Sequence, residues 1–200
     1  MVMQSIGIFT DPIGAWRSLA TRHTSVVGVF LTHTVPWALV PAVCWYFGVT
    51  EVGWQVGLEP KQKMTPQSAA YICVLFYFAM LAGVLFLGYM IHWMAETYAA
   101  ADSSIAKGVT IVTYTATPFF LAGLLGLYPS LWIDIAVGSV VAAYCVYLLY
   151  VGVPIVMGVA PERGFLFASA VVAVALVSIV ALMSATAILW DFGAEPVYTY

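Results

Sequence analysis

Residues 113–129 read TYTATPFFLAGLLGLYP. The stretch is apolar enough to lie in a membrane. It also holds three threonines, two tyrosines and two prolines, which an inert span does not need. Pro118 has no N–H to donate, and its ring crowds the carbonyl of Tyr114, four residues back. In lipid that carbonyl must find another partner, such as Thr117, Thr115, a neighbouring helix or a water. Thr113 and Thr117 lie four apart on one face and can also bond across helices. Ala122, Gly123 and Gly126 form a smooth surface for close helix approach. Tyr128 falls at interface depth, and Pro129 begins a turn.

Composition places the rest of the chain around this segment. Of 200 residues, 64% are hydrophobic and 8% charged, whereas soluble domains are about 45–50% apolar and about 25% charged. The mean hydropathy is +1.01. The net charge of −3 comes without any basic run, so nothing supports binding to nucleic acid. The first basic residue is Arg17, ahead of the first long apolar run, which does not fit a secretory signal. Cys44, Cys73 and Cys145 are scattered through apolar runs and read as buried hydrophobes rather than metal ligands.

A helix needs about 20 apolar residues to cross a bilayer. Five runs qualify, at 25–49, 68–95, 108–127, 132–158 and 165–190. Their continuity excludes the alternating strands of a membrane barrel. The expected fold is an all-α integral membrane protein, with five transmembrane helices in one bundle. A segment at 1–24 precedes it and a short tail at 191–200 follows. Residues 50–67 make the longest loop, 96–107 a shorter polar one, and YPSL and APERG are tight turns. With the N-terminus cytoplasmic, the inside holds Arg17, Arg22, Lys107 and Arg163, and the outside Lys61 and Lys63. That asymmetry favours N-in and C-out.

Asp11 suits a helix cap and Pro12 the first helical position. Ile13, Trp16 and Leu19 recur at helical spacing, off the positions of Arg17 and Arg22. The expectation is a short interfacial amphipathic helix with Trp16 as its anchor.

The tyrosine–proline spacing of the third span recurs in the fourth, where Tyr150 precedes Pro154 by four residues. Both units fall in the cytoplasmic half of that topology. They are either two independent kinks that let a bundle pack, or a polar cleft or hinge. His33, just before Pro36 in THTVPW, is a histidine at membrane depth and so a functional hypothesis. Alternatively, it is a neutral imidazole satisfied by one bond between helices. His92 reads as an interface marker. Asp134 lies in the opening turns of the fourth span, where a carboxylate suits the helix dipole and Ser130 is placed to cap. An ion or proton site is the alternative there. His33 and Asp134 are thus the candidate intramembrane polar sites. Motifs for phosphate-binding loops, zinc proteases, thiol redox sites and serine nucleophiles are absent from the sequence. No catalytic residue, cofactor or metal site is expected.

Together, DPIGAW near the N-terminus, the five spans, TYTATPFFLAGLLGLYP and YLLYVGVPIVMGVAPERGF resemble the Yip domain family, and within it the bacterial inner-membrane branch. The resemblance implies a five-helix membrane domain with a cytoplasmic N-terminus and no catalytic residues. It marks Tyr114, Pro118, Tyr128 and Pro129 in the third span. In the fourth span and the loop after it, it marks Tyr147, Tyr150, Gly152, Pro154, Pro161 and Arg163. Eukaryotic relatives are associated with Rab GTPases. This chain has only about 24 residues before its first span, so that binding does not carry over. The expected function is interaction within the bilayer, as organiser, adaptor or accessory subunit, with no enzymatic activity. Span five offers Ala173, Ala181, Ser184 and other small residues to a second copy or another membrane protein. The alternative is a small transporter or channel for protons, ions or a small solute, built on His33, Asp134 and the proline-broken spans.

Overall fold

The computed structural model describes residues 2–22, 24–55 and 60–199. Residues 56–59 of the expected long loop, and Tyr200 of the tail, lie outside that description. Among the described residues, five helices are long and apolar enough to cross a membrane: Val26–Val52, Pro66–Met94, Ile105–Leu127, Leu131–Met157 and Pro161–Gly193. They are called spans one to five. Their starts carry local signals. Ser25, Thr65 and Ser104 accept N–H groups from Gly28, Ser68 and Lys107 at the heads of spans one, two and three. Pro66 and Pro161 open spans two and five, where a missing N–H costs nothing. Span four ends at Gly158, whose left-handed φ of 62° caps the helix and returns its N–H to the Pro154 carbonyl.

Spans one and five run past their apolar cores. The expected APERG turn is shorter than it reads, because Pro161, Glu162 and Arg163 already belong to span five. Hydropathy marks where lipid begins; caps and prolines mark where the helix begins.

Span three is the centre of the bundle. It contacts spans one, two and four, and 61% of its most apolar window is buried, against 17% for spans two and five. The smooth face at its far end is used inside the chain. Gly123 lies against Pro41, and Gly126 against the backbone of Trp45 and Gly48 in span one. At the other end Gly88 of span two and Gly108 of span three meet backbone to backbone, with no room for a Cβ on either. Among the described residues span five packs mainly against spans four and two.

The N-terminal segment differs from expectation. It forms two helices, α1 (Val2–Thr10) and α2 (Pro12–Ala20), with Asp11 capping the second through the Gly14 N–H at 3.0 Å. Trp16 is not a lipid-interface anchor. It is fully buried, its indole lying over Gly152 of span four. Leu19 is buried as well, while Ile13 is exposed. Trp16 and Leu19 of the apolar stripe therefore face the bundle, where Gly152 leaves a slot of indole thickness. Tyr144 of span four ties down α1 by donating to the Ile8 carbonyl at 2.7 Å, and its ring stacks on Phe9.

The C-terminal tail is also held. Strand β1 (Lys63–Met64) pairs antiparallel with β2 (Tyr198–Thr199), and Val197 exchanges bonds with Thr65 and Ser68. The tail and the loop between spans one and two therefore close the same end of the bundle.

Candidate functional site

The polar residues of the opening stretch meet span one in the bundle interior. Thr110, Thr113 and Thr117 fall on one face of span three. Opposite them, Thr24 pairs with Thr110 at 3.2 Å, Thr34 with Thr113 at 2.8 Å, and His33 Nε2 with Thr117 Oγ1 at 2.9 Å. His33, Thr34, Thr113 and Thr117 are all buried. Thr117 also donates to the Thr113 carbonyl at 3.1 Å. Its single proton is then committed, so His33 must be the donor, through Nε2–H. The imidazole is packed between two rings: Trp37 stacks at 5.6 Å and Tyr114 tilts against it at 4.6 Å.

His33 sits on a widened turn. Residues Phe30–Thr34 form a π-helical turn, with the Val35 N–H reaching back to the Phe30 carbonyl. Pro36 follows immediately and cannot supply the N–H that the Thr32 carbonyl would take in a regular helix. The widened turn brings His33 and Thr34, adjacent in sequence, both to bear on span three. Such turns are frequent at functional sites. Tyr77 of span two donates to the Val35 carbonyl at 3.3 Å, bringing a third helix to the cluster.

This geometry corrects the expected role of the threonines. Thr117 serves the Thr113 carbonyl and His33, not the Tyr114 carbonyl. Pro118 and Pro154 both lie inside continuous helix. The two tyrosine–proline units also serve different neighbours. Tyr114 is buried against His33 of span one. Tyr150 instead turns to span five, sharing a hydrogen bond with Ser169 at 2.7 Å and tilting against Phe165 at 5.2 Å.

Asp134 is distant in role from His33. Its carboxylate accepts the Ser130 N–H at 3.0 Å at the start of span four. Ser130 makes no side-chain cap of its own; Asp134 instead accepts the N–H of that cap residue. Asp134 Oδ1 is buried without a hydrogen-bond partner among the described residues. His92 shares a bond with Ser103 at 2.8 Å, across the loop into span three. Among the described residues no three His, Cys, Asp or Glu side chains gather where a metal could be held.

A model of the Yip1 domain matches residues 6–182. The chain belongs to the Yip1 domain family. Two relatives are each 34% identical over 187 residues, covering 94% of this chain and 95% of theirs. Both are named inner membrane protein YohC, one from Escherichia coli K12 and one from Escherichia coli O6:H1. No solved structure matches.

The likeness of the chain to this family holds over nearly its whole length, and the residues named for it have distinct neighbours in the structure. Gly152 receives Trp16, and Pro154 packs against Gly164 of span five. Tyr147 is exposed and stacks on Tyr144. Pro129 lies beside Gly48. Tyr128 is exposed, with the Lys61 ammonium 5.3 Å from its ring centre. Arg163 is exposed in the first turn of span five. The sequence alone marks Trp16 only as an anchor and gives Trp37, Thr34 and Tyr144 no role. The spacing of Thr110, Thr113 and Thr117 was the signal that could have found their partners.

Proposed function

We propose that this Yip1 domain chain acts by association within the bilayer, without catalysis, and that span five is its docking helix. One observation carries the reading: every residue from Ile179 to Gly193 is exposed whose side chain the structure describes. That half of the helix is exposed around its whole circumference among the described residues. Ala181, Ser184, Ala185 and Ala187 lie within it. Small residues let helices approach closely where lipid supplies no hydrophobic drive. Ser184 and Thr186 bond to carbonyls of their own helix, at 2.9 Å each, and each keeps acceptor capacity for a partner. The partner is a second copy or another membrane protein.

The names of the relatives support placing the chain in the bacterial inner membrane. The Lys and Arg count supports a cytoplasmic N-terminus and an outside C-terminus. The test is copurification of two differently tagged copies from native membranes in mild detergent. Capture of one copy by the other, or of a stoichiometric partner, that is lost in Ala181→Phe supports the reading. A solitary chain refutes it.

A transport reading draws on His33, which sits on a π-helical turn among three spans. Proton flux in proteoliposomes that disappears in His33→Gln would favour it. Absence of flux in the wild type would remove it.

A further inference from the structure

We propose that the groove between α2 and the meeting of spans four and five binds one anionic phospholipid. The groove holds about 540 Å³, within the range of small-molecule sites. Ile13 and Arg17 of α2 form one wall, Val151, Pro154 and Ile155 of span four the floor, and Phe165 of span five the other wall. Tyr150 also lines the groove, with its hydroxyl bonded to Ser169. The walls are thus hydrocarbon, and the one charged lining residue is a cation.

Arg17 is exposed, and its guanidinium has no ion pair or hydrogen bond among the described residues. A base in the last turn of α2 suits that helix's own dipole. That accounts for a cation on α2, but not for a groove of hydrocarbon beneath it. Neighbouring acids do not compete for it. Asp11 is engaged with the Gly14 N–H, and Glu162 lies outside the lining. Pro161 borders the groove at the start of span five, whose positive dipole end adds to the field there.

Position fixes the source of the anion. Pro154 is three residues from the end of span four at Met157, about one helical turn. The groove therefore runs from headgroup depth into the acyl region. Arg is the side chain best matched to phosphate oxygens, and a basic residue near an anionic membrane surface is worth about 1 kcal/mol, roughly fivefold in binding. A free phosphate would use the arginine and leave the walls unused. A zwitterionic lipid would use the walls and gain little from the charge. The inference holds whether or not span five docks a partner.

The test is native mass spectrometry of the full chain after delipidation in mild detergent, titrated with phosphatidylglycerol, phosphatidylcholine or glycerol phosphate. The expected result is one retained phosphatidylglycerol per chain, preferred about fivefold over phosphatidylcholine. Arg17→Gln removes that preference, Ile155→Trp reduces retention of both lipids by filling the groove, and Arg163→Gln, outside the lining, changes neither. Equal retention of the two lipids by wild type, undiminished preference in Arg17→Gln, or glycerol phosphate bound as tightly as lipid would each overturn the proposal. Arg17 is exposed and its replacement leaves the core intact, so that variant decides the question even if Ile155→Trp fails to fold.

Discussion

Replacing Gly152 by alanine perturbs the N-terminal helices through one added carbon. An ideal Cβ at position 152 would stand 2.6 Å from Trp16 Cε2, 2.8 Å from Cζ2 and 2.9 Å from Cδ2. Carbon atoms prefer about 3.5–4.0 Å, so the indole must retreat by about 1 Å. Trp16 is fully buried, so its retreat must displace neighbouring side chains. Overpacking of this kind costs about 1–3 kcal/mol, roughly 5- to 150-fold in the ratio of docked to undocked α2. The strain is local, because α2 packs mainly on span four. Limited trypsin digestion in mild detergent reads it at Arg17 and Arg22, since cleavage within or beside a helix follows the open population. Cleavage there is expected to accelerate in Gly152→Ala, with cleavage at Lys61, Lys63 and Lys107 unchanged. Adding Trp16→Phe is expected to relieve part of the effect, giving a sum less than additive. Unchanged cleavage at Arg17 and Arg22 would refute the close packing of indole on glycine.

The His33–Thr117 bond is expected to show a coupling of about 0.6 kcal/mol, and at most about 1.7. A double-mutant cycle of His33→Leu and Thr117→Val, read by detergent unfolding, measures it; zero coupling would contradict the pairing. Asp134→Asn keeps an oxygen for the Ser130 N–H and forfeits only the dipole contribution, about 0.3–1 kcal/mol. Its membrane level should therefore stay near wild type, and a large loss would show that the carboxylate does more than start the helix. Reporter fusions after Lys63, Ser103 and Tyr200 are expected to read outside, inside and outside. A cytoplasmic signal at Tyr200 would reverse the orientation or change the number of spans.

The spans were legible because lipid demands long apolar helices, and caps such as Ser104 and breaks such as Pro129 sit at their ends. The threonine face of span three was legible as a bonding surface, since Thr113 and Thr117 repeat at helical spacing. What they bond to was not. Thr34 and Thr113 are 79 residues apart, and no local pattern records such a pairing. The proline rule pointed to the Tyr114 carbonyl, yet Thr117 donates to the Thr113 carbonyl, and the oxygens of Thr113 and Thr117 meet Thr34 and His33 of span one. Trp16 misled for a similar reason. An aromatic residue on a short amphipathic helix reads as a membrane anchor until Gly152, 136 residues on, is seen to make room for it. The β1–β2 pairing is two residues long and leaves no periodic signal at all.

The exposed half of span five is proposed as a contact surface in the membrane. Single cysteines introduced at successive positions from Val177 to Ala187 test it by crosslinking in native membranes; the chain's own Cys44, Cys73 and Cys145 are buried. Crosslinks are expected to recur every three to four residues, to be strongest along the face bearing Ala181, Ser184 and Ala185, and to be lost when Ala181 is replaced by Phe. A wild-type chain that captures no neighbour at any of these positions would contradict it.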